Sequence, residues 1–167
     1  MARIILNQSG MDFIADNTFH IEESGLYKNI GKGVRSVEFI RIKDNRLLFV
    51  EAKTSFPNPN NPCENNDEIF QSEIGEVCKK FIHSLNLVSS VEMGVAEEVF
   101  PKDFIVPDSV SLVFILVIKN HEFEWCRPIK SKLESELPTY LKRIWKPIIY
   151  VINQEVAAKQ GLLVCSD

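Results

Sequence analysis

The sequence predicts a mixed α/β layer fold, with helices flanking a central mixed β-sheet. Three observations carry this. Strand-like and helical runs alternate along the chain. Residues Glu68–Val88 place Phe70, Ile74, Val77, Phe81, Leu85 and Val88 at steady helical spacing. Residues Ser111–Lys119 are almost wholly aliphatic or aromatic, as a strand covered on both faces requires.

Each element has a local signal. In the first thirty residues the pattern is weak; Phe19, Leu26 and Ile30 recur near helical spacing and predict a helix over His20–Ile30. Val34–Ile42 and Leu47–Lys53 predict two strands, with Asp44-Asn45 as the hairpin turn between them. Thr54–Asn66, TSFPNPNNPCENN, predicts an irregular loop, because proline removes backbone donors and asparagine favours turns. Asn66 or Asp67 is placed to cap the Glu68–Val88 helix. A second helical stretch runs from about Lys130 to Trp145, with Pro138 expected to kink or restart it. Ile148–Ile152 predicts a buried strand, and Glu155–Lys159 a short helix. The expected order is helix, strand, strand, helix, strand, helix, strand.

Composition sets the bounds. The 167 residues fit one domain over 1–167, and 45% hydrophobic with 25% charged residues exclude wholesale disorder. The longest apolar run, Leu112–Ile118, is too short to span a bilayer, so no membrane partner is expected. The start, MARIILNQSG, lacks the long apolar core and cleavage site of a secretory signal, and a cytoplasmic address is the default expectation. Lys and Arg total 19 against 23 Asp and Glu, a net charge of −4. A nucleic-acid role must therefore rest on a local patch or a partner, not on overall charge. Cys63, Cys78, Cys126 and Cys165 form no CxxC pair, and none has a histidine at zinc-ligand spacing, so reduced, mostly packed thiols are expected. His20, His83 and His121 stand alone and point to no catalytic site.

The chemistry concentrates in the hairpin. Across an Asp44-Asn45 turn, Ile42 faces Leu47, Ile40 faces Phe49, Glu38 faces Glu51 and Ser36 faces Lys53. Alternation puts Glu38, Glu51 and Lys53 on one side, alongside Ile40, Ile42, Leu47 and Phe49. The other side carries Val37, Phe39, Leu48, Val50 and Ala52, so both faces want cover. Opposed carboxylates, with Cβ atoms about 4.5–5.5 Å apart, repel unless something offsets them. Lys53 offsets part of the charge; a Mg²⁺ ion, which needs few protein carboxylates, offsets more. The bland alternative is an edge hairpin whose Glu and Lys form ordinary cross-strand ion pairs.

Glu38, twelve intervening residues and then Glu51-Ala52-Lys53, followed by a helix and a buried strand, resembles the PD-(D/E)xK nuclease superfamily with its restriction-endonuclease-like fold. The resemblance covers roughly residues 20–120. It implies hydrolysis of phosphodiester bonds in DNA with Mg²⁺ or Mn²⁺ as cofactor. Glu38 takes the place of the first-strand acid, usually Asp, and the longer side chain is a departure. Glu51 takes the place of the second acid; both would ligate the metal, and Lys53 would orient the attacking water. Many members add an upstream helical Glu; Glu22 or Glu23 fits that place, Glu22 being favoured. The Gln-x-x-x-Tyr signature of some members is broken, since Gly75 stands four residues after Gln71.

Lys28, Lys32 and Arg35 lie in KNIGKGVR, an acid-free stretch with two glycines leading into the first strand. It is the expected grip on a phosphate backbone, with a plain solvated loop as the alternative. Lys130, Lys132, Lys142, Arg143 and Lys146 suggest a second basic face, diluted by Glu134 and Glu136. The 54–66 loop borders the site, as a substrate or partner contact or as a disordered insertion. The competing function is a catalytically weak or inactive nuclease-fold module that recognises a protein partner, favoured by the acidic balance, Glu38 and the missing Tyr. A homodimer through an exposed edge strand would let two sites meet two strands. No P-loop, GxGxxG or nucleophile elbow supports a small-molecule enzyme.

Overall fold

The computed structural model describes residues 4–61 and 66–165. The chain is mixed α/β. Its elements are β1 (Ile5–Gln8), β2 (Met11–Ile14), β3 (Thr18–Phe19), α1 (Gly25–Ile30), β4 (Phe39–Lys43), β5 (Arg46–Lys53), α2 (Asn66–Glu92), β6 (Ser111–Ile118), α3 (Phe123–Glu136), α4 (Thr139–Ile144), β7 (Ile148–Asn153) and α5 (Gln154–Lys159). A five-stranded sheet runs β3-β4-β5-β6-β7, and β1 and β2 form a separate hairpin. β3, β4 and β5 pair antiparallel; β5, β6 and β7 pair parallel. The parallel neighbours need long crossovers, which α2 and α3–α4 supply.

The β4–β5 register is the one the turn predicts, with Ile42 opposite Leu47 and Phe39 opposite Val50. Asp44 and Asn45 both adopt positive φ, 51° and 57°. Such a two-residue turn matches the right-handed twist of the strands it joins. The centre of the sheet is buried on both sides, but β7 is buried on one face only, with Ile148 and Tyr150 exposed, not the fully buried strand expected over Ile148–Ile152. Ile40, Phe49, Phe114 and Val151 pack beneath α2 and α3, where Phe81 of α2 stacks on Phe114 with ring centroids 4.7 Å apart. Phe39, Val50, Val113 and Val117 face the other way, under Phe13 of β2 and Ala157 of α5. No helix among the described residues is long and apolar enough to cross a membrane.

Several elements differ from expectation, each for a local reason. β4 begins at Phe39 rather than Val34. Ahead of it the backbone turns to α2: Arg35 N–H donates to His83 Nδ1 at 2.9 Å, and Val37 N–H to Ser84 Oγ at 2.9 Å. The expected His20–Ile30 helix is split into a 3₁₀ turn over Ile21–Glu23 and α1. Ser24 divides them; it is extended, donates to Ile21 O and accepts from Tyr27 N–H as the cap of α1. Asn66 is the first residue of α2, and its side chain donates to Asn58 O at 2.8 Å. α3 starts at Phe123, seven residues before Lys130, and carries Pro128 inside it. Pro138 restarts the chain as α4, as expected.

The described part of the 54–66 loop is anchored. Phe56 is buried, its ring 6.1 Å from that of Phe70, and Asn58 accepts from both Asn61 N–H and Asn66. The rest of that loop, including Cys63, lies outside the described residues. Cys78 and Cys126 are free and buried, and burial pushes each thiol up to about 11. Both are packed in the core, whereas Cys165 is free and exposed.

Candidate active site at the end of the hairpin

Glu51 lies near the C-terminal end of β5, between β4 and β6, and has no exposed surface. Its Oε1 accepts from Lys80 Nζ at 2.5 Å, while its Oε2 is buried without a hydrogen-bond partner. Burial pushes the Glu51 carboxyl up, and Lys80 and Lys53 pull against that shift. The regular β4–β5 register ends at Phe39 opposite Val50, so the expected facing pairs Glu38–Glu51 and Ser36–Lys53 are not formed; Glu38 lies just before the strand, and its N–H donates out of register to Val50 O at 3.1 Å. Alternation breaks here, since Val37 packs with Ile40 and Phe49 instead of with Phe39, but the Glu38 carboxyl still interacts with Glu51, Glu22 and Lys80. It is 9% exposed, and its pKa is pushed up to about 8. Burial is the main cause, followed by a side-chain hydrogen bond to Glu22 and the charge of Glu51.

Glu22 reaches this cluster from the 3₁₀ turn. Ile21 beside it is fully buried and Ser24 ties the turn down, which fixes the direction of the intervening side chain. Glu23 points elsewhere and pairs with Lys28 at 2.6 Å on the surface. Of the two upstream acids, Glu22 is the one brought to Glu38 and Glu51.

Lys53 ends β5 and pairs with Glu73 Oε2 at 3.1 Å, both side chains partly exposed. Glu73 and Lys80 both come from α2. They are seven residues apart, two helical turns, so they share a face. Each immediately precedes a core residue, Ile74 or Phe81, which sets it at the shoulder of the buried stripe. Burial works against the Lys80 charge, but Glu51, Glu38 and Glu22 outweigh it and raise its pKa. Glu73 and Lys80 were not among the residues singled out from sequence. The i, i+7 spacing beside the apolar stripe puts them on one helix face but does not say which residues they meet.

The basic stretch is largely matched by acids. Lys28 pairs with Glu23, and Arg35 Nε with Glu76 at 3.2 Å. Lys32, exposed between Gly31 and Gly33, has no acidic partner among the described residues. In the second basic region, Lys130 and Lys132 face Glu134 and Glu136 along α3.

Glu22, Glu38, Glu51 and Glu73 thus meet Lys53 and Lys80, an excess of acid over base. Among the described residues, no three His, Cys, Asp or Glu side chains are already spaced to hold a metal ion. Two features still suit a hard cation: the unpartnered oxygen of Glu51, and the neighbouring Glu38 carboxyl, whose proton is favoured by burial and by the acids around it. Mg²⁺ needs few protein ligands because it retains water. No family model, curated protein or solved structure matches this chain.

Proposed function

We propose that this chain is a Mg²⁺- or Mn²⁺-dependent nuclease of the restriction-endonuclease-like kind, hydrolysing phosphodiester bonds in DNA. The observation that carries it is the convergence of Glu22, Glu38 and Glu51 from three elements, with one Glu51 oxygen buried and unpartnered. The hairpin, the helix after it and the parallel strand beyond support the same reading. Glu38 and Glu51 would hold the ion, with Glu22 behind Glu38. A bound divalent ion supplies Lewis acidity at a phosphate oxygen and a water of lowered pKa. Lys53 offers its ammonium to the phosphate and the attacking water, and Glu73 holds it in position. Lys80 opposes the proton that burial favours on Glu51.

The test is cleavage of duplex DNA, single-stranded DNA and RNA with Mg²⁺ or Mn²⁺. Lys53→Ala is expected to lose at least about a hundredfold in rate while remaining folded; Glu51→Gln should lose as much, with a stability cost from unpairing Lys80. No cleavage of any substrate, or a Lys53→Ala variant that cuts at the wild-type rate, rejects the catalytic assignment.

A second reading is a binding module that recognises a protein partner without catalysis. One observation favours it: Glu51 and Lys53 already have protein partners in Lys80 and Glu73. In that case Mg²⁺ would leave the melting temperature unchanged. A nuclease site gains stability on binding the ion.

A further inference from the structure

On the side of the sheet away from the acids lies a cavity of about 370 Å³. Its floor is Leu48 of β5, Val113 and Ile115 of β6 and Tyr150 of β7. Val156 of α5 forms a wall. The volume is at the low end of small-molecule sites, roughly 300–1,000 Å³.

The mouth is basic. Lys43 and Arg46 line it and stand directly opposite each other at the end of the β4–β5 hairpin, on the same face as Leu48. Directly opposed like charges destabilise a strand pair. No ion pair to an acid is formed by either among the described residues; Lys43 Nζ instead donates to Gln160 O at 3.3 Å across the opening. Among the described residues, Asp44 is the one acid lining the cavity. Two cations thus guard an apolar chamber, and among the described residues neither forms an ion pair, with Asp44 or any other acid.

We propose that this cavity binds a small organic anion with an apolar body. The apolar part would rest on Leu48, Val113 and Ile115. The acid group would sit between Lys43 and Arg46, offsetting their repulsion by charge-assisted hydrogen bonds. A neutral ligand would leave that repulsion in place, so the site should favour the anion over its uncharged analogue. This site is separate from the acid cluster and does not depend on the nuclease reading.

The experiment uses anilinonaphthalene sulfonate as a fluorescent probe on the intact protein, with decanoate and decanol as competitors. The expected result is saturable one-to-one dye binding, displaced by decanoate at least tenfold more effectively than by decanol. Lys43→Gln with Arg46→Gln should weaken decanoate at least tenfold and leave decanol unchanged. Val156→Trp, filling the chamber from its partly exposed wall, should abolish both. Val156→Phe serves if the Trp variant fails to fold. Dye binding that does not saturate, decanoate affinity that survives both changes, or displacement by oligothymidylate but not by decanoate would overturn the proposal. The last outcome would assign the basic mouth to a polyanion instead.

Discussion

A carboxylate with no exposed surface has to find its counter-charge inside the protein, and Glu51 finds it in Lys80. Removing one member of a buried pair leaves the other charged and unpaired, which costs about 3–5 kcal/mol. Replacing both with uncharged groups of similar shape is often close to neutral. Lys80→Met is therefore expected to lose about 3–5 kcal/mol in urea unfolding, and Glu51→Gln combined with Lys80→Met to recover most of it. A small loss from Lys80→Met alone would show that Glu51 is readily neutralised by a proton. The cycle separates structural from catalytic duty, because Lys53 lies outside the pair. Lys53→Ala removes a partly exposed ion pair, worth about 0–1 kcal/mol, so its effect on cleavage is not a folding effect.

At the scale of elements, the hairpin decides whether the acids meet, and its turn decides the hairpin. A one-residue slip would carry Glu51 to the far face of the sheet. Asn45 has φ 57°, a conformation Asn and Gly tolerate and β-branched residues resist. Asn45→Val is expected to cost about 1–2 kcal/mol and Asn45→Gly to be neutral or mildly stabilising, measured by denaturant unfolding. This is also why the core of the site was legible from sequence. Asp44-Asn45 is a short-range signal, and alternation along β5 then carries Glu51 and Lys53 to one side; Glu38 joins them from the segment before β4, where the regular register has ended. Lys80 was not legible, because its partner lies 29 residues away and their meeting depends on how α2 crosses the sheet. The β1–β2 hairpin escaped for a different reason. Its strands are four residues long and β1 is largely exposed, so Ser9-Gly10, with φ of 50° and 70°, was the only strong signal. Pro128 masked the first turns of α3, since a proline reads as a boundary when packing partners are unknown.

At the scale of the whole molecule, the acid cluster couples folding to pH and to divalent ions. Glu38 is raised from 4.5 to about 8, and Glu51 is raised as well. A raised carboxyl binds its proton more tightly in the folded chain than in the unfolded one. Its contribution to stability is full below the unfolded value of 4.5 and is lost as pH rises through about 8. In EDTA, the melting temperature is therefore expected to fall by several degrees from about pH 5 to about pH 9. Glu38→Gln, neutral throughout, should flatten the slope. Glu23 and Glu76 are shifted the opposite way by surface lysines, but both are solvent-screened, so they leave the trend intact. A divalent ion takes the place of the proton only when the carboxyl is ionised. The rise in melting temperature produced by Mg²⁺ should therefore be larger near pH 8.5 than near pH 6, and smaller in Glu38→Gln at both. Calorimetry across this range, with and without Mg²⁺, checks both parts. A pH slope that survives Glu38→Gln would move the titration to other groups. A Mg²⁺ effect with no pH dependence would mean that the ion binds away from Glu38.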